Sequence, residues 1–264
     1  MERRSYAVEI LYEGDRFRGF QRQPGLPTVQ AALERALGAL GVWAPLAVAA
    51  RTDAGVHALR QVVSFAIRAD LDPEALRRGL NAALPEGVLA LAAHRVAPSF
   101  HARNTAESRT YVYLVGAPAP ELLRPYAWSL PDPRAFPHLA APRIDPVLLR
   151  AALGEAVGTH DFAAVARAGA RRATVKTVLR AEVVSAEWAP LHAVVIEARG
   201  FVRAMVRNLV GAAVAEAVGA SPAGATRELI DGGGRYRGVR APGRGLTLAA
   251  VQYPPGALPS EAGR

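Results

Sequence analysis

Seven prolines fall between Gly116 and Arg143, and that density does most to limit the folds open to this chain. Each proline fixes its own φ and removes a backbone donor, so neither a long helix nor a central strand can run through the segment. It is therefore predicted to be an insertion or linker, with patterned sequence on both sides. Before it, Tyr6 to Tyr12 alternates as a strand does, and a loop rich in Arg, Gly and Gln follows from Glu13 to Pro27. Thr28 is placed as an N-cap ahead of Val29, Ala32, Leu33, Ala36, Leu37 and Leu40, which recur at helical spacing. Val62 to Ile67 reads as a buried strand, Asp72-Pro73 opens a second helix with Leu76, Leu80 and Leu84, and Val88 to Val96 returns as a strand.

Arg109 to Val115 starts a new strand. Beyond the prolines, Asp145-Pro146 caps a third helix with Leu148, Leu149 and Leu153 on one face. Val175 to Trp188 and Leu191 to Ala198 form an expected hairpin, a fourth helix runs from about Val202 to Val218, a shorter one starts at Ser221-Pro222, and Leu246 to Val251 closes as a strand. The reading is an α+β chain of two similar α/β-sandwich halves with mostly antiparallel mixed sheets flanking a central cleft. The halves are expected at 1–105 and 106–253, with the proline-rich insertion at 116–143 and a frayed tail at 254–264.

At 264 residues, 51% of them hydrophobic and 21% charged, such a chain can bury a core in each half. Lys plus Arg (32) exceeds Asp plus Glu (23), and Lys176 is the single lysine. The positive charge is thus guanidinium, which grips phosphate bidentately and stacks on bases, so a polyanionic partner is expected. The absence of cysteine removes disulfides, thiolate metal sites and thiol nucleophiles. The N-terminus has no apolar stretch of signal-peptide form and no segment long enough to span a membrane, which suggests a cytoplasmic protein.

The most informative stretch is Arg51-Thr52-Asp53-Ala54-Gly55-Val56-His57-Ala58, a loop ahead of a buried strand. Alone, it could be an ordinary turn with an Asp that bonds its own backbone. It is accompanied, in order, by Gly19-Phe20-Gln21-Arg22-Gln23, Arg78-Gly79-Leu80-Asn81, Leu84-Pro85, Phe100-His101-Ala102-Arg103 and Arg109-Thr110-Tyr111. Gly158-Thr159-His160-Asp161-Phe162 and Met205-Val206-Arg207-Asn208-Leu209-Val210-Gly211 complete the series. In that combination the chain resembles the TruA family of tRNA pseudouridine synthases. It departs from the family pattern at Phe17, Phe20 and Arg203, positions that bear on packing or RNA contact.

The resemblance implies isomerisation of uridine in tRNA, at positions 38, 39 and 40 of the anticodon arm, by a homodimer that uses no metal and no small-molecule cofactor. It implies Asp53 as the catalytic carboxylate, Arg207 as the cation that keeps it ionised against desolvation, and Tyr111 as the ring that stacks on the extracted base. Arg51 would enter the gap left by that base or bind a flanking phosphate. His57 is taken as a loop-packing residue beside the substrate, and Arg16, Arg18, Arg22, Arg103 and Arg109 as the phosphate-binding surface. Gly14 and Gly19 suggest a flexible or sharply turning arm. A non-catalytic basic RNA-binding module is the main alternative, but a carboxylate within a basic face would weaken binding without chemistry to justify it. A metal-dependent nuclease needs converging acidic ligands, and no second carboxylate lies within ten residues of Asp53 on either side.

Overall fold

The computed structural model of the chain describes residues 3–166, 174–232 and 236–259. The chain forms two compact units, one of Met1–Arg109 with Leu248–Arg264 and the other of Thr110–Thr247. The expected division gave the closing strand to the second half; in the structure the chain returns, and from Leu248 onward it belongs with the first.

The first unit is built on β1 (Arg4–Tyr12), flanked by β3 (His57–Ile67) and β4 (Val88–Val96), both antiparallel to it. The C-terminal strand β10 (Leu246–Gln252) lies beside β3, and a two-residue strand β2 (Ala47–Val48) pairs with Ser64 and Val63 of β3. Helix α1 (Val29–Ala39) buries Val29, Ala32, Leu33, Ala36 and Leu37, and its N-cap Thr28 accepts from the Ala31 amide at 3.4 Å. Helix α2 (Pro73–Ala83) is capped by Asp72, which accepts from Ala75 at 2.7 Å, and Leu84 is its C-cap.

Two residues of the Arg78–Asn81 motif turn out to pack elements together here. Gly79 leaves room for Leu40, whose Cδ2 would lie 2.8 Å from a Cβ at that position. Asn81 grips both backbone groups of Ala90, at 2.9 and 2.7 Å, and so ties α2 to β4. The tail is not frayed where it is described. Tyr253 packs against Phe100 with ring centroids 5.1 Å apart and the rings tilted by 45°, and Ala257 and Leu258 pack against the cluster of Ala7, Val62 and Phe100. Residues 260–264 of that expected tail lie outside the described residues.

The second unit holds β5 (Ser108–Gly116), β9 (Leu191–Ala198), β8 (Val175–Ser185) and β7 (Gly158–Asp161) in that spatial order. β8 and β9 are the expected antiparallel hairpin, and β7 pairs antiparallel with β8. Most of the proline-rich insertion is irregular, but it contains a 3₁₀ turn at Glu121–Tyr126 and a short strand β6 (Trp128–Ser129) parallel to β5. Trp128 anchors it: the ring is fully buried, stacks on Phe136 at 5.7 Å, and donates from Nε1 to Asp132 at 2.9 Å.

Helix α3 (Pro146–Gly154) is capped by Asp145, as expected. Helix α4 (Met205–Ala217) is buried almost all round, and it starts three residues later than its apolar pattern because Ala204 adopts a left-handed conformation at φ 65°. The short α5 (Ala225–Ile230) likewise begins after the expected Ser221-Pro222. Its amides at Gly224 and Thr226 are held by the buried carboxylate of Glu216 at 2.8 and 2.5 Å. The fold class is α+β.

Candidate active site

In the first unit, the backbone hydrogen bonds of β2 stop where the Asp53 loop begins. Ala49 still donates to Val62 as a strand residue would, at 2.9 Å. Its neighbour Ala50 instead pairs with a side chain: the Gln61 amide donates to the Ala50 carbonyl at 2.7 Å and accepts from its N–H at 3.2 Å. Because the amide mimics a strand partner, the chain can leave the sheet at Arg51 with no buried backbone group stranded. Thr52 is buried, with Oγ1 2.8 Å from the Tyr12 hydroxyl and its carbonyl accepting from Phe20 at 3.1 Å. Asp53, half-buried, opens a β-turn closed by Val56 N–H to Asp53 C=O at 3.2 Å, with Gly55 at φ 78° supplying the left-handed residue.

The far side of the loop is held by Gly14. Its carbonyl accepts from Gly55 at 3.2 Å and its N–H donates to His57 Nδ1 at 3.1 Å. A Cβ on Gly14 would meet the Val56 carbonyl oxygen at 2.0 Å, and one on Gly19 would meet Thr52 O at 3.0 Å. These glycines permit close backbone approach rather than a loose arm. The 13–27 segment is further tied by Arg18 N–H to Pro27 and by the Gly19 and Phe20 carbonyls, which accept from Val29 and Gln30 at the start of α1.

In the second unit, Tyr111 lies on β5, 7% exposed, with its ring edge-on to Phe201 at a centroid distance of 5.1 Å. Arg207, in the first turn of α4, donates from Nε to Ala241 O at 2.7 Å while Ala241 N–H returns a bond to Arg207 O at 3.1 Å. Asn208 adds two more links, to Val165 O at 2.7 Å and from Arg240 Nε at 3.1 Å. Burial pushes the Tyr113 hydroxyl far above its ordinary value, opposed by the charges of Arg207 and Arg244.

A sequence model described as tRNA pseudouridine synthase matches residues 9–103 and 152–254. The chain belongs to the tRNA pseudouridine synthase family. Over 254 residues it is 33% identical to tRNA pseudouridine synthase A of Streptococcus thermophilus strain CNRZ 1066, covering 94% of this chain and 98% of that one. Over 263 residues it is 38% identical to the protein of the same name from Neisseria gonorrhoeae strain NCCP11945, covering 96% and 93%. A solved structure of an unknown protein from Galdieria sulphuraria is 14% identical and superposes with a TM-score of 0.24, covering 75% and 81% of the two chains. The protein is thus an isomerase that acts on RNA.

In this pseudouridine synthase the expected site residues Arg18, Arg22, Arg51, Asp53, His57, Arg103 and Arg109 belong to the first unit, and Tyr111 and Arg207 to the second. Around Asp53 the first unit gathers Thr52 and His57, with Arg51 and Arg18 exposed; among the described residues neither arginine has a carboxylate partner. Arg109 departs from the expected phosphate surface. It is 8% exposed, and its guanidinium donates to the carbonyls of Ala49, Arg103 and Ala106 at 2.6–3.3 Å. It braces the strand end next to the Asp53 loop, where an unpaired buried cation would be costly. Arg22 is exposed but lies 3.3 Å from Glu34, and Arg16 bridges Glu13 at 2.6 Å and Glu86 at 3.1 Å. Arg103 is exposed.

His57 is 4% exposed, and an Nδ1 that accepts from Gly14 makes Nε2 the protonated nitrogen of the neutral ring. Tyr12 and Gln61 carry no sequence mark as neighbours of the site, because alternation in a strand does not reveal what a hydroxyl or amide will meet, whereas Gly14, expected only in a turning arm, clasps the Asp53 loop. Among the described residues no group of three or more His, Asp or Glu side chains is placed to hold a metal ion, and no helix is long and apolar enough to cross a membrane.

Proposed function

We propose that this enzyme converts uridines 38, 39 and 40 of the tRNA anticodon arm to pseudouridine, with Asp53 as the catalytic carboxylate. The observation that carries the reading is a half-buried carboxylate set in a loop whose neighbouring residues are hydrogen-bonded on both sides. Such preorganisation suits a group that must meet one atom of a flipped nucleotide in a fixed geometry.

The reaction breaks the N1–C1′ bond, turns the uracil, joins C5 to C1′, releases the C5 proton and leaves N1 to take up one proton in its place. No atom is gained or lost, so it balances without a redox partner or phosphate donor. Asp53 serves either as a nucleophile on sugar or base or as the base that removes a sugar proton. Arg207 is the proposed cation that keeps the carboxylate ionised, and Tyr111 the proposed aromatic surface for the base; both roles come from the family resemblance. Exposed Arg18 and Arg51, with Arg103, are proposed to meet the RNA backbone. Action as a homodimer, in the cytoplasm, belongs to the same reading.

Asp53→Asn tests it, since the amide keeps the shape and loses both charge and nucleophilicity. Tritium release from C5-labelled uridine in a tRNA transcript is expected to vanish, while filter binding of that transcript is unchanged or tighter. Release at the parent rate would reject Asp53. No release from the parent protein would favour a binding module instead.

A further inference from the structure

We propose that Tyr12, Gln61 and Thr52 form a buried positioning relay that sets the catalytic carboxylate, an inference that rests on the assignment of Asp53. The three residues are 2%, 0% and 7% exposed. They come from two strands and the loop itself, and the two strand residues, Gln61 and Tyr12, bind the two residues, Ala50 and Thr52, that flank Arg51 immediately before Asp53.

Gln61 is satisfied on every side. Its amide nitrogen donates to Ala50 O at 2.7 Å and to the Tyr12 hydroxyl at 3.2 Å, while its oxygen accepts from Ala50 N–H and Val62 N–H, both at 3.2 Å. The amide cannot be turned over, since that would set its donors against two N–H groups. Tyr12 Oη accepts from Gln61 and also lies 2.8 Å from Thr52 Oγ1, a bond in which either hydroxyl can donate. The hydrogen-bonded chain therefore runs from Gln61 through Tyr12 to Thr52, one residue before Asp53. Burial pushes the Tyr12 hydroxyl up to about 12, with its bonds to Thr52 and Gln61 opposing the rise. It stays neutral throughout the range in which such an enzyme works.

On the other side of Asp53, the turn to Val56 and the Gly14 contacts stop the backbone from absorbing a shift. The Tyr12 ring packs beside Phe20, centroids 6.3 Å apart, and Phe20 N–H also holds Thr52 O. Removing one hydroxyl therefore leaves the packing in place and frees only the side-chain end of the relay. This separates a positioning role from a merely structural one.

The experiment compares Tyr12→Phe, Thr52→Val, Thr52→Ser and the double variant Tyr12→Phe/Thr52→Val with the parent and Asp53→Asn. Single-turnover kcat, KM for a tRNA transcript, and thermal midpoint are measured at a temperature well below unfolding. A misplaced catalytic group can cost on the order of 100-fold, so Tyr12→Phe and Thr52→Val should each lower kcat about tenfold or more, with KM within about twofold. Thr52→Ser, which restores the hydroxyl, should recover most of the loss. The double variant should be no slower than the slower single one, because both break the same link. The inference is overturned if kcat of both single variants stays within about twofold of the parent, if Thr52→Ser is no better than Thr52→Val, or if the two losses multiply. An inactive Asp53→Asn alongside a fully active Tyr12→Phe would leave the carboxylate assignment standing and remove the relay alone. An active Asp53→Asn would remove both.

Discussion

Replacing Gly211 by alanine sets two opposing effects against each other within one helix turn. Gly211 lies inside α4, where alanine is favoured over glycine by about 1 kcal/mol. A Cβ there would stand 1.9 Å from the Val239 carbonyl oxygen, 3.0 Å from its carbon and 3.3 Å from Ala241 N. Carbon and carbonyl oxygen do not normally come closer than roughly 3.3 Å, so the 239–241 backbone must retreat by more than 1 Å.

That retreat pulls on the bonds joining this segment to α4: Arg207 Nε to Ala241 O, Ala241 N–H to Arg207 O, and Arg240 Nε to Asn208 Oδ1. Overpacking costs about 1–3 kcal/mol, the charged bond to Ala241 about 1.5–3, and a neutral backbone bond about 0.5–1.5. Clash and lost bonds outweigh propensity, leaving a net destabilisation of about 2 kcal/mol or more and a thermal midpoint lowered by at least about 4 °C for a chain of this size. Gly154, at the end of α3 with nothing within 4 Å of the place a Cβ would take, is the control. There the same substitution should be neutral or raise stability by up to about 1 kcal/mol. Circular dichroism melts and urea titrations of the two variants measure the contrast. A Gly211→Ala protein as stable as the parent would refute the packing role assigned to this glycine.

Two further outcomes follow from charge and burial. Arg22 is engaged by Glu34 whereas Arg18 has no carboxylate partner among the described residues, so Arg18→Ala should reduce the logarithmic salt slope of tRNA binding by about 0.7–0.9, and Arg22→Ala by less. Filter binding across a salt series decides it, and an unchanged slope for Arg18→Ala would place that side chain off the RNA. Tyr12 and Tyr236 are pushed by burial to about 12, and Tyr113 and Tyr253 are shifted in the same direction. Because the folded value lies above the unfolded one of about 10, the stability tied to neutral tyrosine is complete below pH 10 and is lost as pH rises towards about 12. A single lysine keeps the contribution of ammonium groups small over that window. Urea midpoints should fall over that window and fall less in Tyr12→Phe; an equal fall in both proteins would show that Tyr12 is not the group responsible.

Much of the fold is legible in the sequence because caps and periodicity act locally. Thr28, Asp72 and Asp145 are N-caps as read, and the hairpin of β8 and β9 stands where alternation puts it. β2 and β7, two and four residues long, are not legible: so short a run carries no period, and each is a strand only because β3 or β8 offers it backbone partners. Glycine is ambiguous in a similar way. Sequence shows that Gly14 lacks a Cβ, while only the approach of Val56 shows that the missing atom makes room for a neighbouring backbone.

The Asp53 loop divides along the same line. Its residue types, with no other carboxylate nearby in the chain, mark out a candidate for chemistry before any coordinate is known. Arg109 and Tyr12 show what remains for the tertiary structure to decide. An arginine at a strand end is equally suited to phosphate or to carbonyl oxygens, and it becomes a brace because folding brings Ala49, Arg103 and Ala106 around it. A tyrosine in an alternating strand is a core residue by pattern, and it becomes a hydrogen-bond partner of the site loop because Gln61 and Thr52, 49 and 40 residues away in sequence, converge on its hydroxyl. Sequence specifies which groups are present and the local geometry of the backbone that carries them; burial and long-range pairing determine which of those groups meet, and so what each one does.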